Sequence, residues 1–277
     1  MNTDIVKYSN WLNNLSFAGF GQTDFNLFMV LCAEMKDRGT TERTFTFSDL
    51  KKKAGIETHS NTRTAEELDK MTDKMQKVVC KIRTDSELIK FVLFPTFRIN
   101  DEEGTLTVAV NKDFQFVLNS LASQFTTFEL QEFVQLDSRY AKTLYRLLKQ
   151  FKTTGDLTIS ADDFRARLNI PKSYPTKAIS ARIIEPTIRA LHDSFPDLKC
   201  EVLHASKPGR PVRSYRFSFT PDAPERQRDL TDWQKEKKVR KNYNNQFELQ
   251  RDYDKESLAA QERILLGEGS EEDYQKF

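Results

Sequence analysis

The chain has 277 residues, 30% of them charged, and a formal net charge of +2, which suits two ordinary domains followed by a tail. No apolar stretch approaches the ~20 residues that span a bilayer, and the N-terminus lacks the layout of a signal peptide. We therefore expect a soluble, cytoplasmic protein without membrane partners. Its cysteines, Cys32, Cys80 and Cys200, are far apart among apolar residues, which predicts reduced thiols instead of disulfides or a metal site.

The near balance of charge hides an asymmetry along the chain. Residues 1–136 carry 16 Lys and Arg against 19 Asp and Glu, and residues 221–277 carry 11 against 14. Residues 137–220, in contrast, carry 16 against 8, an excess of eight positive charges. The expected partner of this basic segment is a polyanion, and a solvated basic surface without a partner is the alternative on charge alone.

A stretch of the sequence occurs twice, which sets the expected architecture. Residues 44–56 align without gaps on residues 158–170 and share Thr, Asp and Ile at the first, sixth and last places. Upstream, residues 31–39 align on residues 147–155, and both stretches end in Gly. Each copy has the pattern of an apolar helix, a Gly stop, a short strand, a capped second helix and an Ile, so we predict an internal duplication.

The first copy has the pattern of a winged helix, in which three helices precede a β-hairpin. Periodicity and capping residues predict an opening helix at Tyr8–Leu15 and then these three helices, which lie after Thr23 as N-cap, after Ser48 and Asp49 as caps, and at Arg63–Lys77. Extended segments follow at 78–83, 90–100 and 105–111, and the turn Asp101–Gly104 joins the last two into a wing.

The second copy repeats this order after residues 112–136, which have the pattern of an apolar helical connector between domains. The predicted elements are a helix capped by Asp137 or Ser138, a strand at Leu157–Ser160, a helix at Asp162–Leu168 and a helix from about Lys177 to His192. Pro186 lies inside the last helix and should kink it or end its first part. Strands at 198–203 and 214–220 form the second wing around the loop Lys207–Arg213.

We therefore predict an α+β fold of two tandem winged-helix domains related by internal duplication. The first domain is expected at residues 1–120, with a weaker DNA contact, and the second at residues 121–220, as the main DNA reader. Residues 221–277 are rich in charged and amide side chains, which predicts a polar tail that is partly helical or disordered.

The two predicted wings differ in charge. The second offers Lys207, Arg210 and Arg213, which suit phosphates or a minor groove. The first offers Asp101–Glu103, which would repel a phosphate backbone. The second unit is therefore the predicted stronger reader, and the first is a weaker reader, a protein–protein surface, or both. An ordinary basic turn and a solvated acidic turn are the respective alternatives.

A recognition helix needs side chains that reach base edges, and Arg to guanine is the commonest such contact. Arg182 and Arg189 face away from the apolar stripe of the helix before the second wing, where a surface salt bridge is the alternative role. In the first unit the candidates are interleaved with four acidic residues at 66–73. The predicted DNA-binding residues are Lys177, Ser180, Arg182, Arg189, Lys207, Arg210 and Arg213 in the second unit and Asn61, Thr62, Arg63, Lys70 and Lys74 in the first.

Catalytic chemistry finds no support in the sequence. The histidines, His59, His192 and His204, have no metal-binding helical spacing, and no His-apolar-His motif lies near a nucleophilic Tyr. The chain also lacks a phosphate loop of the Gly-x-x-x-x-Gly-Lys-Ser/Thr type. We expect a binding protein that is not an enzyme and uses no metal or cofactor.

Several segments resemble the iteron-binding, theta-type plasmid replication initiator (Rep) proteins. Residues 144–151, Leu-Tyr-Arg-Leu-Leu-Lys-Gln-Phe, followed by residues 164–174, look like the second winged helix of that family, and residues 7–10 and 125–133 resemble it too. The resemblance covers roughly residues 5–220. It implies two winged helices, sequence-specific binding of direct repeats at an origin, dimerisation through the first domain, and host initiator protein and helicase as partners. By position, it places one reader on the helix with Arg182 and the other on the helix after Asn61.

Together these observations predict a plasmid replication initiator that binds double-stranded DNA at origin repeats, promotes origin opening and recruits host replication proteins. Its homodimer would be in equilibrium with a monomer. The alternative is a winged-helix transcriptional repressor that binds an inverted operator as a dimer. A nicking enzyme is a third hypothesis, which requires a metal motif that the sequence lacks.

Overall fold

The computed structural model describes residues 4–57, 60–83, 88–112, 117–119, 121, 124–205 and 211–222. The first part of the chain contains, in order, β1 (Ile5–Ser9), a 3-10 turn (Asn10–Asn14), α1 (Gln22–Met35), β2 (Arg43–Thr46), α2 (Phe47–Ala54), α3 (Asn61–Gln76), β3 (Cys80–Arg83), β4 (Leu88–Phe91), β5 (Thr96–Asn100) and β6 (Thr105–Ala109). The second part contains β7 (Phe125–Glu129), α4 (Leu130–Val134), α5 (Arg139–Gln150), β8 (Asp156–Ser160), α6 (Ala161–Arg167), α7 (Thr176–Ile179), a π-turn (Ser180–Ile184), α8 (Glu185–Ala190), β9 (Lys199–His204) and β10 (Val212–Ser218).

Two winged helices follow one another along the chain. In the first unit, α1, β2, α2 and α3 precede the antiparallel hairpin of β5 and β6, with the strand order β2-β6-β5. In the second unit, α5, β8, α6 and the helical run from α7 to α8 precede the hairpin of β9 and β10, with the order β8-β10-β9. The predicted α+β fold of two tandem winged helices is therefore confirmed.

The second helix of each unit begins with the same cap. Thr46 Oγ1 accepts the main-chain N–H of Asp49 at 3.1 Å, and Ser160 Oγ accepts that of Asp163 at 3.1 Å. These hydroxyls satisfy donors that the first helical turn leaves free. The cap predicted at Ser48 is wrong, because α2 has already begun at that residue. The matched caps add to the evidence for duplication.

The N-terminal segment is a strand where the sequence predicted a helix. β1 pairs antiparallel with β7, so that Val6 lies opposite Phe128 and Tyr8 opposite Thr126, and all four side chains are buried. Among its described residues, the connector predicted as helical at 112–136 contains the strand β7 and the short helix α4. Helical spacing misled in both segments, because their pairing joins residues far apart in the sequence and leaves no local periodic signal.

Helix α1 begins at Gln22, earlier than the predicted N-cap Thr23 allows. The carboxylate of Asp24 accepts the N–H of Gly21 at 2.6 Å and so supplies the cap from inside the first turn. Asp24 is only 2% exposed, which makes this carboxylate part of the interior of the first unit.

An additional antiparallel hairpin, β3 with β4, lies between α3 and the first wing. The strand predicted at 90–100 is interrupted, because Pro95 has no N–H for a sheet ladder, and it divides into β4 and β5. The ring of Trp11 stacks on that of Phe91 with centroids 5.7 Å apart, so the hairpin packs against the N-terminal 3-10 turn.

The hydrophobic core extends through both units. Aromatic rings carry much of it, and Phe128 lies 5.2 Å from Tyr145 between centroids. The cysteines are free thiols, with Cys32 and Cys80 buried and Cys200 half-buried. Burial raises the pKa of Cys80 and Cys200 to about 12, which keeps both thiols protonated at neutral pH. Among the described residues, no helix is both long and apolar enough to cross a bilayer.

Candidate nucleic-acid interface

The helix before the second wing runs from α7 through the π-turn to α8 without a break. The N–H of Glu185 donates to the carbonyl of Ser180, five residues earlier, which widens this turn. Pro186 follows directly, and in a regular helix its ring would clash with a carbonyl four residues earlier. The wide turn accommodates the ring, so the disturbance predicted at Pro186 takes the form of a π-turn and the helix continues to Ala190.

Four predicted DNA-binding residues lie on this helix. Lys177, Arg182 and Arg189 are exposed, and Ser180 is half-buried. On the opposite side Ile179 is 0% exposed, which anchors the helix to the core. The helix therefore presents three cationic side chains to the solvent from a fixed backbone.

The guanidinium of Arg182 lies over the ring of Tyr174, 5.9 Å from its centroid. This contact with an aromatic ring orders the long side chain, and no carboxylate among the described residues pairs with its guanidinium. Tyr174 is held in turn by Arg165, whose Nη2 donates to the Tyr174 carbonyl oxygen at 2.8 Å. The turn between α6 and α7 therefore positions Arg182.

Basic residues at matched places in the repeat support the two candidate reading helices, one by contacting α3 directly and the other by contacting the turn before α7. Arg165 aligns on Lys51, which is only 3% exposed. Lys51 Nζ donates to Thr64 Oγ1 at 3.3 Å and to Glu67 Oε2 at 3.2 Å, both on α3. No role was predicted from the sequence for Lys51 or Arg165. The signal in the sequence was that both copies of the repeat carry a positive charge at this place.

The described part of the second wing contains one predicted basic residue. Arg213 is exposed on β10, beside a shift in the register of β9 and β10 between Val212 and Ser214. Such a bulge turns a side chain away from the regular alternation of the strand. Lys207 and Arg210 lie outside the described residues.

In the first unit, α3 carries the corresponding candidates. Ser60 Oγ caps the helix by accepting the N–H of Arg63, and Asn61 and Thr62 are exposed in its first turn. Arg63 Nε donates to Glu67 Oε1 at 3.3 Å, so this guanidinium is shared with a carboxylate one turn away. A solvent-exposed pair of this kind is weak and can open for a phosphate.

Two lysines of α3 differ in their surroundings. Lys70 is exposed, with no ion pair to any described residue, whereas Lys74 Nζ lies 2.8 Å from Asp24 Oδ2. Asp24 is buried and caps α1, so Lys74 serves the interior of the first unit. The structure therefore places Lys70 on the accessible surface of α3 and engages Lys74 in a structural pair.

The first wing ends in a tight acidic turn beside the start of α3. Gly104 closes the turn with a φ of 64°, and a Cβ there would lie 2.8 Å from Asn61 Nδ2. Gly is therefore required both by the left-handed backbone and by this close approach. The exposed Asp101–Glu103 consequently lie close to the N-terminal turn of the first candidate reading helix.

The two candidate reading faces have different charges. The helix α3 carries three basic and four acidic residues, whereas the run from α7 to α8 carries three basic residues and one acidic residue. Phosphate affinity should therefore be concentrated on the second unit. Within the described parts of the chain, no group of three or more His, Cys, Asp or Glu side chains could hold a metal ion.

Two cations of α5 that are buried in the structure were not singled out from the sequence. Lys142 and Arg146 are both 0% exposed, although cations on a helix normally face the solvent. Their burial shows that α5 is covered on more than one side. The repeat offered a signal, because its alignment places Arg146 on Val30, a buried apolar residue of α1.

Comparison with known proteins agrees with this arrangement. Residues 5–149 match the family model of the initiator replication protein, WH1, and residues 160–219 match that of the initiator Rep protein, WH2. The chain belongs to the initiator Rep family. The probable replication protein rep of Bifidobacterium longum (strain NCC 2705) is 34% identical over 227 residues, which cover 81% of this chain and 75% of that relative. The predicted family is thereby confirmed.

A solved initiator shares the fold of this Rep protein. The crystal structure of the Pi initiator protein in complex with iteron DNA matches with a TM-score of 0.61 and 17% identity, over 80% of this chain and 99% of that chain. The two family models meet between residues 149 and 160, where α5 passes into β8. The domain boundary predicted between residues 120 and 121 stays a prediction.

Proposed function

We propose that this Rep protein starts plasmid replication by binding directly repeated DNA, the iterons of an origin, through both winged helices. The observation that carries the proposal is the exposed cationic face of Lys177, Arg182 and Arg189 on a continuous helix in front of a wing. Helices in this position read the major groove, and Arg is the commonest reader of guanine. The fold it shares with the Pi initiator, crystallised with iteron DNA, supports this assignment.

The two units would contribute unequally to binding. The second unit supplies most of the phosphate affinity and the Arg contacts to bases, because its reading face is basic. The first unit adds contacts from Asn61, Thr62, Arg63 and Lys70, while the acids of α3 and Asp101–Glu103 limit its hold on the phosphate backbone. This acidic surface also suits protein contacts, and we propose that homodimers in equilibrium with monomers form through the first unit.

Origin opening would draw on binding energy alone. A protein that bends or untwists its site deforms the duplex at a cost that depends on the DNA sequence, and an adjacent AT-rich segment is the part that yields most easily. Host initiator protein and helicase would then be recruited to the opened segment. Neither a metal-dependent step nor a nucleophilic residue is needed for this sequence of events.

The first experiment is a fluorescence-anisotropy titration of the full chain against the DNA that flanks its own gene. A scrambled duplex of the same composition is the control, and both are titrated at two salt concentrations. We expect stepwise binding to direct repeats at least ~10³-fold tighter than to the scramble. Equal, salt-sensitive binding to both duplexes would contradict the proposal and leave only an electrostatic surface.

A second experiment separates an initiator from a repressor. A replication-deficient marker plasmid that carries this gene and the bound repeats is transformed into the host, with and without a frameshift in the gene. Gene-dependent maintenance of the plasmid supports initiation. Binding to an inverted repeat as a dimer, without maintenance, would identify a transcriptional repressor instead.

A further inference from the structure

Helix α5 is enclosed on opposite sides by the two winged-helix units. All residues from Ala141 to Leu148 are buried. The helix packs against β8 and α8 of the second unit and against α1 and the 3-10 turn of the first. Leu144 and Leu148 belong to its apolar stripe, whereas Arg146 lies on the other side and is nevertheless 0% exposed. Arg146 therefore points from the second unit into the first.

The guanidinium of Arg146 is surrounded by residues of the first unit. Its central carbon lies 4.6 Å from the ring centroid of Phe17 and 5.7 Å from that of Phe25. Its Nη1 donates to Asn13 Oδ1 at 3.5 Å. Within the described residues no carboxylate pairs with Arg146, and its buried Nε has no acceptor. A buried cation held by two rings and one amide loses these interactions if either unit moves.

The contacts of Arg146 with Asn13, Phe17 and Phe25 form what we call the joint between the two units. Asn13 is its polar centre and is 1% exposed. Its Oδ1 also accepts the hydroxyl of Tyr8 at 3.0 Å, and its Nδ2 donates to Thr126 Oγ1 at 2.8 Å and to Gln150 Oε1 at 3.0 Å. Both amide hydrogens and the oxygen are therefore engaged. The network ties the 3-10 turn, β1 and β7 to α5 in one geometry, because buried polar groups strongly disfavour a displacement that leaves them unpaired.

A second pair of hydrogen bonds connects this turn and the residues just after it to α6. Arg167 Nη1 donates to the carbonyl oxygen of Asn13 at 3.1 Å, and Ser16 Oγ donates to that of Ala166 at 3.1 Å. The helix α6 leads directly into the turn before the second reading helix. The joint therefore connects the first unit to the part of the second unit that carries the proposed base-reading residues.

We propose that Arg146 is a positioning residue that fixes the separation and rotation of the two reading helices. It thereby sets which spacing the protein accepts between the two half-sites of a repeat, where a half-site is the DNA that one winged helix contacts. The proposal rests on the proposed function, in which both winged helices contact one DNA site. Arg146 touches no DNA in this scheme. It acts through Phe17, Phe25 and Asn13, which hold the first unit against α5.

A rigid joint makes binding sensitive to spacing. When two linked modules bind together, the second contact gains from a high effective concentration only if the link can span both half-sites. Each inserted base pair moves one half-site by about 3.4 Å and turns it by roughly 35° around the duplex. A fixed joint cannot follow this change, whereas a loosened joint can follow it at the expense of affinity for the native site.

The test measures affinity of the full chain for duplexes that differ only in spacing. The probe is a fluorescein-labelled duplex with one repeat from the DNA flanking this gene, in which hydroxyl-radical footprinting has located the two half-sites. Versions carry no insertion, or one or two base pairs between the half-sites. We expect the wild type to lose ~30-fold in affinity with one inserted base pair, and Arg146→Ala to lose only ~3-fold.

Arg146→Ala should also bind the native duplex ~10-fold more weakly while binding a duplex with the second half-site alone within ~2-fold of wild type. Lys149→Ala is the matched control, because Lys149 is a cation of the same helix whose partner, Glu132, lies on α4. It should keep the wild-type spacing ratio. Asn13→Ala removes the network from the other side, and its effect should be less than additive with that of Arg146→Ala.

Partial unfolding does not change the result, because an unfolded fraction lowers the apparent affinity for each duplex by the same factor. That factor cancels in the ratio of two affinities. If Arg146→Ala is unfolded at the assay temperature, Arg146→Met fills the same space beside Phe17 and Phe25 without the guanidinium and tests the same ratio. A wild-type spacing ratio in a folded Arg146 variant would overturn the proposal. Failure of the wild-type chain to bind the repeat at all would instead overturn the proposed function.

Discussion

The Nζ atom of Lys142 lies 2.7 Å from the carbonyl oxygen of Phe133 and donates a hydrogen bond to it. The same nitrogen reaches the carbonyl oxygen of Val134 at 3.2 Å and lies 4.7 Å from the ring centroid of Phe133. It thereby joins α5 to the last turn of α4. Burial lowers the pKa of Lys142 to about 7, and the charge of Asp137 offsets this effect only in part.

From the lowered pKa of Lys142 we predict that the free energy of unfolding increases as the pH rises above neutrality. In an unfolded chain the pKa of Lys is ~10.4, so between pH 7 and that value the unfolded state binds more protons than the folded state. The free energy of unfolding therefore increases with pH over this range, and the gain is lost as the pH falls toward the folded pKa. We expect a contribution of ~2–3 kcal/mol, because relaxation and water entry reduce the full effect of the pKa difference.

Lys142→Met tests this contribution. Urea unfolding is measured at pH 7.0, 8.5 and 10, and Lys149→Met serves as the control for loss of a cation from the same helix. At pH 7 the Lys142 variant should match or exceed the wild type by up to ~2 kcal/mol, and its advantage should vanish at pH 10. An identical pH dependence in the wild type and the Lys142 variant would contradict the assignment.

The repeat explains why the fold could be predicted from the sequence. The matched positions Gly55 and Asn169 both have left-handed backbones, with φ values of 63° and 50°. The following residues, Ile56 and Ile170, donate their N–H groups to the carbonyls of Lys51 and Arg165 respectively, each at 2.9 Å. Gly and Asn are the residues that most readily take this conformation. The helices α2 and α6 therefore end in the same way because of the residues at their own C-termini. Such a local similarity is visible when the two copies of the repeat are aligned.

The joint between the units could not be predicted in this way. The pairing of β1 with β7 and the burial of Arg146 depend on surfaces that meet only after both units have folded. On a helical wheel Arg146 falls opposite Leu144 and Leu148, which is where a solvated cation is expected. Among the DNA-binding residues predicted from the sequence, Lys74 illustrates the same limit, because its partner Asp24 belongs to another helix. Helical spacing alone cannot separate Lys74 from the exposed Lys70.

Those two lysines of α3 should respond differently to substitution. Lys74→Met leaves the buried carboxylate of Asp24 without its cation, which should lower the free energy of unfolding by ~1–3 kcal/mol and change DNA affinity less than ~2-fold. Lys70→Met should leave stability within ~0.5 kcal/mol and lower affinity for all duplexes if α3 approaches the phosphate backbone. Urea unfolding and anisotropy on the same preparations measure both effects. The reverse pattern would assign DNA contact to Lys74.

The acidic residues of α3 should weaken non-specific binding. Glu66 and Asp69 are exposed on the same helix as Arg63 and Lys70, so they repel phosphates that approach this face. The double variant Glu66→Gln with Asp69→Asn should raise affinity for a random duplex by ~3–10-fold and steepen its salt dependence. Glu129→Gln, an exposed acid of β7, is the control. A random-duplex affinity equal to wild type would show that α3 does not approach the DNA.

Arg182 is the residue with which base reading by the second unit is tested most directly. If it contacts guanine, Arg182→Ala should weaken binding to the repeat by ~1–3 kcal/mol and relax the preference at one base position, while random DNA is bound nearly as before. Tyr174→Leu should have a smaller effect of the same kind, since the ring only orders the guanidinium 5.9 Å from its centroid.

Arg216→Ala provides the control, because Arg216 is an exposed cation of the second unit that pairs with Asp156 on the neighbouring strand β8. Anisotropy with duplexes substituted one base pair at a time measures the preference of each variant. Equal losses on the repeat and on random DNA for Arg182→Ala would reassign Arg182 to the phosphate backbone. In that case the specificity of the second unit would have to come from Lys177, Arg189 or the deformability of the repeat itself.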